Sequence, residues 1–118
     1  YAHSGVRPEV MGIGPIPAVE KLCQKLKKNI DDFDVIESNE AFAAQACAVS
    51  LALKLNNKKV NPNGGAIALG HPVGATGTIL CIKLIHELKR TNSRFGLLTM
   101  CIGGGQGIAI GIENLQLS

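Results

Sequence analysis

Between Ala41 and Leu53 the chain runs for thirteen residues in which only Gln45 and Ser50 are polar. Ser38 or Asn39 stands just ahead of this run as a helix cap, and Glu40 suits the first turn, so the run reads as a helix. A helix that is apolar almost all round is buried on all sides. Six of its residues are alanines (41, 43, 44, 46, 48 and 52), which lets neighbouring elements approach closely. A domain of 118 residues seldom has a helix at its dead centre. The run therefore predicts a middle layer shared with a second domain.

The remaining elements follow from periodicity. Residues 1–16 read as a loop. Pro17 opens an amphipathic helix with Val19, Leu22, Cys23 and Leu26 on one face and lysines on the other, ending near Lys28-Asn29. Phe33 to Glu37 is a short strand. Asn61-Pro62-Asn63-Gly64-Gly65 and Gly70-His71-Pro72 are turns. Gly74-Ala75-Thr76-Gly77 leads into a helix with Cys81, Leu84, Ile85 and Leu88 as its apolar stripe. Two apolar strands, Phe95 to Ile102 and Gly107 to Ile112, close the chain around Gly103-Gly104-Gly105-Gln106. Alternating helices and apolar strands predict α/β layers.

Composition removes several classes of function. Twelve basic and nine acidic residues give a net charge of +3, and the basic residues are scattered with no stacking aromatics between them. Nucleic-acid binding is a poor reading. The uncharged stretch from Phe95 to Ile112 is broken by six glycines and is no membrane span. Cys23, Cys47, Cys81 and Cys101 lie in apolar stretches without a C-x-x-C pair, which suits buried thiols in a reducing compartment, with the cytoplasm as the default location. The chain opens on Tyr1 rather than Met, which reads as a processed product or a piece of something longer.

Three polar residues stand at element junctions in apolar surroundings: Asn39, His71 and Cys101. Each has a bland reading, as a cap, a turn histidine and a core thiol. The glycines raise the functional one. Gly103-Gly104-Gly105 follows Cys101 directly, and Gly70 and Gly74 flank His71-Pro72. Such glycines leave the thiol and imidazole unshielded and backbone N–H groups free to approach a ligand. A Cys, a His and unpaired N–H groups are the parts of an acyl-transfer or enolate site. Phosphate-cradling readings of Gly12-x-Gly14 and Gly103–Gly107 are weak, because neither sits between a strand and a helix. Cys101 and His71 give only two candidate metal ligands, so no metal is expected.

Three blocks then match one family together. Asn39-Glu40-Ala41-Phe42-Ala43 resembles the NEAF motif of thiolases. Gly64 to Gly77 resembles their GGAIALGHPxGATG block, and Cys101-Ile102-Gly103-Gly104-Gly105 their CxGGG block. Met11 to Ala18 resembles the family's lead-in to this region. Among thiolases, the residues around Asn39 and Cys101 look most like the acetyl-CoA acetyltransferases.

The resemblance implies that residues 1–118 are a thiolase C-terminal domain. The N-terminal half, with its nucleophilic Cys and the loop domain that grips most of CoA, lies outside this sequence. It implies an α/β fold: a layered, mixed five-stranded sheet with helices on both faces. Its first strand would be central and largely missing here, and the helix Ala41–Leu53 would pack on the other half. It implies the condensation of two acetyl-CoA to acetoacetyl-CoA, or the reverse CoA-dependent thiolysis, with no permanently bound cofactor and CoA thioesters as substrates. Cys101 would be the acid/base at the α-carbon. His71 would help activate the nucleophilic Cys and line an oxyanion hole, and Asn39 would hold the water that completes it. The Gly103 N–H would belong to a second oxyanion hole, and Met11, Ala41 and Phe42 would border the acyl group. The implied partners are an N-terminal thiolase half and further copies in a homo-oligomer, and the chain alone is not expected to complete the cycle. The chemistry needs such help: a thioester α-proton is far too weakly acidic for a bare thiolate, and each donor aimed at the developing enolate is worth ~10²–10³ in rate. Nearby dipoles and His71 are expected to bring the Cys101 thiol towards the working pH.

Two other functions compete. A non-catalytic thiolase-like fragment, kept as an interaction module, has no need for Asn39, His71 and Cys101 together. A longer-chain 3-ketoacyl-CoA thiolase is the other alternative, though degradative thiolases more often vary the glycine run after the cysteine. A ketoacyl synthase is set aside because that family has His where Cys101 stands.

Overall fold

The computed structural model describes residues 1–117. Its elements are strand β1 (Ala2–Gly5), helix α1 (Pro15–Leu26), strand β2 (Val35–Ser38), helix α2 (Ala43–Leu53), the single-turn helix α3 (Ala66–Leu69), helix α4 (Thr76–Arg90) and strands β3 (Phe95–Cys101) and β4 (Gln106–Glu113). A 3-10 segment, Pro8–Ile13, precedes α1.

The four strands lie in the order β1-β4-β3-β2. β2 runs parallel to β3, with Ser38 opposite Thr99, while β4 is antiparallel to both β3 and β1. Side chains alternate across this sheet. Ile36, Leu97 and Ala109 face Ala18, Val19 and Leu22 of α1 with Val49 and Leu53 of α2. Val35 and Leu98 face Leu80, Leu84 and Leu88 of α4. Helices thus cover both faces, as expected. Gly96 lets α4 lie close on β3: a Cβ there would stand 2.7 Å from Leu84 Cδ1 and 2.9 Å from Leu88 Cδ1.

The sheet corrects the sequence reading in two ways. It has four strands, not five. The would-be fifth strand is a single parallel bridge between Val60 and Ile36. It stops because Asn61 takes a left-handed φ of +46° and turns the chain away. The Asn61 side-chain amide then stands in for the next strand residue, accepting from Ser38 N–H at 2.9 Å and donating to Ser38 O at 2.8 Å. The first strand is also present, over residues read as loop, and it lies at the edge rather than the centre. Only Ala2 of β1 enters the core, so pairing with β4 makes this strand and its own hydrophobic pattern does not. Lys21 and Lys25 of α1 reach its carbonyls at His3 and Tyr1, which blunts the open edge.

The apolar run is also less buried than its composition implies. α2 begins at Ala43, with Phe42 in the cap position and the Gln45 side chain accepting the Phe42 N–H at 3.4 Å. Only Gln45, Val49 and Leu53, one i, i+4, i+8 stripe, are buried. Phe42 is 62% and Leu51 79% exposed. α2 packs through this stripe on α1, the 3-10 segment and the sheet, and its other face lies open among the described residues. On the other side of the sheet α4 lies over β2 and β3, and Ile110 and Ile112 of β4 are only half-buried. Among the described residues no helix is long and apolar enough to cross a membrane.

Candidate active site

In an open sheet the carboxyl ends of parallel strands, where the chain leaves for a helix, are the usual place for chemistry. β2 and β3 end together here, and each hands over to a residue singled out from the sequence.

Asn39 directly follows β2. Its backbone N–H extends the ladder to Thr99 O at 3.0 Å, and Asn61 pins the preceding residue. The residue is 1% exposed. It is not the cap of α2; its side chain turns to His71, with Nδ2 3.5 Å from the imidazole Nε2. Its Oδ1 is buried and has no partner among the described groups. Glu40 also leaves α2. Its carboxylate crosses to α3, accepting the Ile67 N–H at 3.0 Å, and packs so tightly on Gly65 that no side chain fits there.

His71 sits on the turn between α3 and α4, which Gly70 starts at φ +97°. Its Nδ1 lies 2.6 Å from Thr76 Oγ1, and Thr76 Oγ1 donates to Pro72 O at 3.0 Å. A hydroxyl has one proton. With that proton directed at Pro72 O, the Thr76 oxygen accepts from Nδ1–H, and Nε2 presents its lone pair to the Asn39 amide. Nε2 is therefore the ring nitrogen that carries the lone pair. Thr76 was not singled out from the sequence; its place five residues after His71, at the start of a helix, was the available signal.

Cys101 ends β3, opposite Gly107 of β4. Gly103, Gly104 and Gly105 follow with φ of +21°, +70° and +92°. Gly105 is fixed from below: its carbonyl accepts Val6 N–H at 2.7 Å, and a side chain would run into Val6 O. Gly103 and Gly104 are exposed, with open space where a Cβ would stand. The first turn of α4 reaches the same place, since Gly77 abuts Met100 Sδ, next to Cys101. Asn39, His71 and Thr76 are thus in direct contact, and Cys101 and Gly103 share their end of the sheet. The half-buried Cys101 thiol is pushed up by burial, offset in part by a hydrogen bond with its own backbone. Within the chain, burial thus acts against the lowering expected from dipoles and His71.

The three residues expected to border an acyl group are all at least partly exposed. Met11 lies on the 3-10 segment, which packs against α2, β3 and β4; it is 37% exposed. Ala41 is half-buried and Phe42 largely exposed. Among the described residues no three His, Cys, Asp or Glu side chains cluster as a metal site would need.

A parallel strand pair thus ends in Asn39 and Cys101, beside a glycine-lined opening and the contacts that run from Asn39 through His71 to Thr76. The chain belongs to the thiolase family: residues 1–114 match the family's C-terminal domain. It is 56% identical to beta-ketothiolase BktB of Cupriavidus necator, over 98% of this chain and 29% of that protein. It is 52% identical to the acetyl-CoA acetyltransferase of Escherichia coli, again over 98% of this chain and 29% of the relative. The crystal structure of human mitochondrial 3-ketoacyl-CoA thiolase in complex with CoA superposes with a TM-score of 0.94 at 47% identity, covering 96% of this chain and 29% of that one. The chain thus spans 29% of the length of these relatives.

Proposed function

We propose that this chain is the C-terminal catalytic half of a thiolase of the acetyl-CoA C-acetyltransferase type. It acts on CoA thioesters, joining two acetyl-CoA into acetoacetyl-CoA or cleaving that product with CoA. The relay from Asn39 through His71 to Thr76, at the strand end next to that of Cys101, carries this reading. An N-terminal half supplies the cysteine that is acylated. His71 Nε2 takes the proton of that thiol, with Thr76 holding the imidazolium through Nδ1–H. The thiolate attacks the first acetyl-CoA, its C–S bond breaks, and the departing CoA thiolate takes its proton from the Cys101 thiol, leaving Cys101 as thiolate. Nε2–H then donates to the thioester oxygen as enolate charge develops, together with a water held by Asn39. Cys101, as thiolate, removes the α-proton of the second acetyl-CoA. The carbanion attacks the acyl carbon, the enzyme thiolate leaves, and the Gly103 N–H stabilises the tetrahedral oxyanion between. Thiolysis runs these steps backwards, with the Cys101 thiol returning the proton. CoA is substrate, in keeping with the CoA complex of the human relative.

A longer-chain 3-ketoacyl-CoA thiolase is the second reading. The identity to beta-ketothiolase BktB and the exposed Phe42 and Met11 favour it. The deciding experiment is thiolysis of acetoacetyl-CoA and of longer 3-ketoacyl-CoA by this chain, with and without a separately expressed N-terminal thiolase half. Activity only in the mixture, lost in Cys101→Ala, is expected. A folded mixed complex inactive on every substrate would favour the interaction module instead. A kcat/KM that rises with chain length would favour the second reading.

A further inference from the structure

The proposed chemistry uses neither Glu37 nor Lys83, yet they form the most deeply buried ion pair of the described chain. Glu37 is 0% exposed, on β2 two residues before Asn39. Lys83 lies on α4 two turns beyond Thr76, with its Nζ 2.7 Å from Glu37 Oε2. Nζ also donates to the carbonyl of Gly64, in the turn that leads to α3 and His71. One ammonium therefore joins the three segments whose relative placement sets the contact between Asn39 and His71.

An ammonium has three N–H donors, and two are thereby used. A cavity of about 20 Å³ is lined by Lys83, Asn39, Thr76, Gly70 and Leu80 among others. That volume suits one water molecule. The same cavity is lined by Asn39, whose buried Oδ1 is without a partner. An unpaired buried amide oxygen costs about 1–3 kcal/mol, so it selects a donor where one is within reach.

We propose that Lys83 is a positioning residue for the Asn39–His71 pair, acting through one water in this cavity that bridges Lys83 Nζ to Asn39 Oδ1. The bridge fixes the amide orientation. With a donor on Oδ1, Nδ2 is the end that faces His71 Nε2; with none, the amide can turn its oxygen to the imidazole. Glu37 holds the ammonium in place, since its carboxylate is the one ion-pair partner of Lys83 among the described residues. This role rests on the thiolase reading only where it concerns turnover.

The test has an arm independent of catalysis. In the 118-residue chain, NMR reads the Asn39 side-chain amide against the His71 ring and water, with ¹⁵N shifts of His71 reporting its tautomer. The expected result is a long-lived water contact at Asn39 and an Asn39 Nδ2H₂–His71 contact, both lost in Lys83→Met and regained in Lys83→Arg. If Lys83→Met does not fold, the double variant Glu37→Gln/Lys83→Met removes the uncompensated carboxylate and gives the same readout. In the reconstituted enzyme, Lys83→Met should lower kcat by ~10-fold with KM unchanged, the scale of a small misplacement of a catalytic group. A Lys83 variant that folds less stably but keeps the Asn39–His71 contact and the tautomer would overturn the proposal. Inactivity of the unaltered reconstituted enzyme would instead overturn the thiolase reading and leave the NMR result standing.

Discussion

The two ends of the sheet are built on opposite principles. At the start of β3 the polar groups pair closely. Asp34 Oδ2 accepts from the N–H groups of both Arg94 and Phe95, Asn114 bonds to Arg94 O and Ser93 O, and Arg94 meets Glu113 at 2.9 Å. At the other end, where β2 and β3 finish, Asn39 Oδ1 is unpaired, Cys101 is half-buried, and Gly103 and Gly104 open onto free space. One end pairs its polar groups and the other leaves them open. Unpaired groups cost stability, so they persist where function needs them.

The largest expected contrast is in turnover. In the reconstituted enzyme, His71→Ala and Asn39→Ala should each cut kcat by ~10²–10³, the scale of a lost oxyanion donor. Arg94→Ala at the closed end should leave kcat unchanged. A comparable loss there would erase the distinction.

The glycine loop sharpens the contrast within a few residues. Both Gly104 and Gly105 have positive φ, so an alanine at either costs about 1–2 kcal/mol of strain. Only at Gly105 does the new Cβ also strike Val6 O. Urea unfolding should find Gly105→Ala clearly the less stable of the two.

Acid should loosen the closed side first. Glu87, on the last turns of α4, is bonded by Arg90 and by Asn63, which hold its carboxyl at about 2, below the usual 4.5. A depressed folded pKa adds stability above 4.5 and loses it as pH falls towards about 2. The stability gap between the chain and its Glu87→Gln variant should therefore be full at neutral pH and shrink across that window. Glu37 has the opposite sign. Burial raises its carboxyl above the usual range, against the pull of Lys83, so its ionisation opposes folding as pH rises.

The smallest effect belongs to Arg94 and Glu113, whose side chains are 59% and 40% exposed. A double-mutant cycle should give about 0.2–1 kcal/mol, falling further with salt.

Much of this was legible along the chain. The limits of β3 and β4 to within a residue or two, and Leu84 and Leu88 of the α4 stripe, followed from periodicity, while helices on both faces were implied by the family resemblance. Asn39, His71, Cys101 and Gly103 were visible as polar or glycine breaks in apolar surroundings. Less legible was anything whose partner is distant in sequence. β1 was read as loop because Ala2-His3-Ser4-Gly5 has little hydrophobic pattern and is a strand only against β4. Asn39 looked like a cap because Asn before a helix usually is one, and only the β2–β3 ladder carries it past that position. Asn61 and Lys83 gave no local sign of their partners, 23 and 46 residues away.

The sequence by itself determined the α/β alternation, the aliphatic core and the residue types at the site, because these rest on local periodicity and on side-chain chemistry. Only the tertiary structure decided the strand order, the single buried stripe of α2, the tautomer of His71 and the pairing of Glu37 with Lys83. Each of those depends on which distant backbone or side chain fills a given hydrogen-bonding position, and no local pattern of residues encodes that choice.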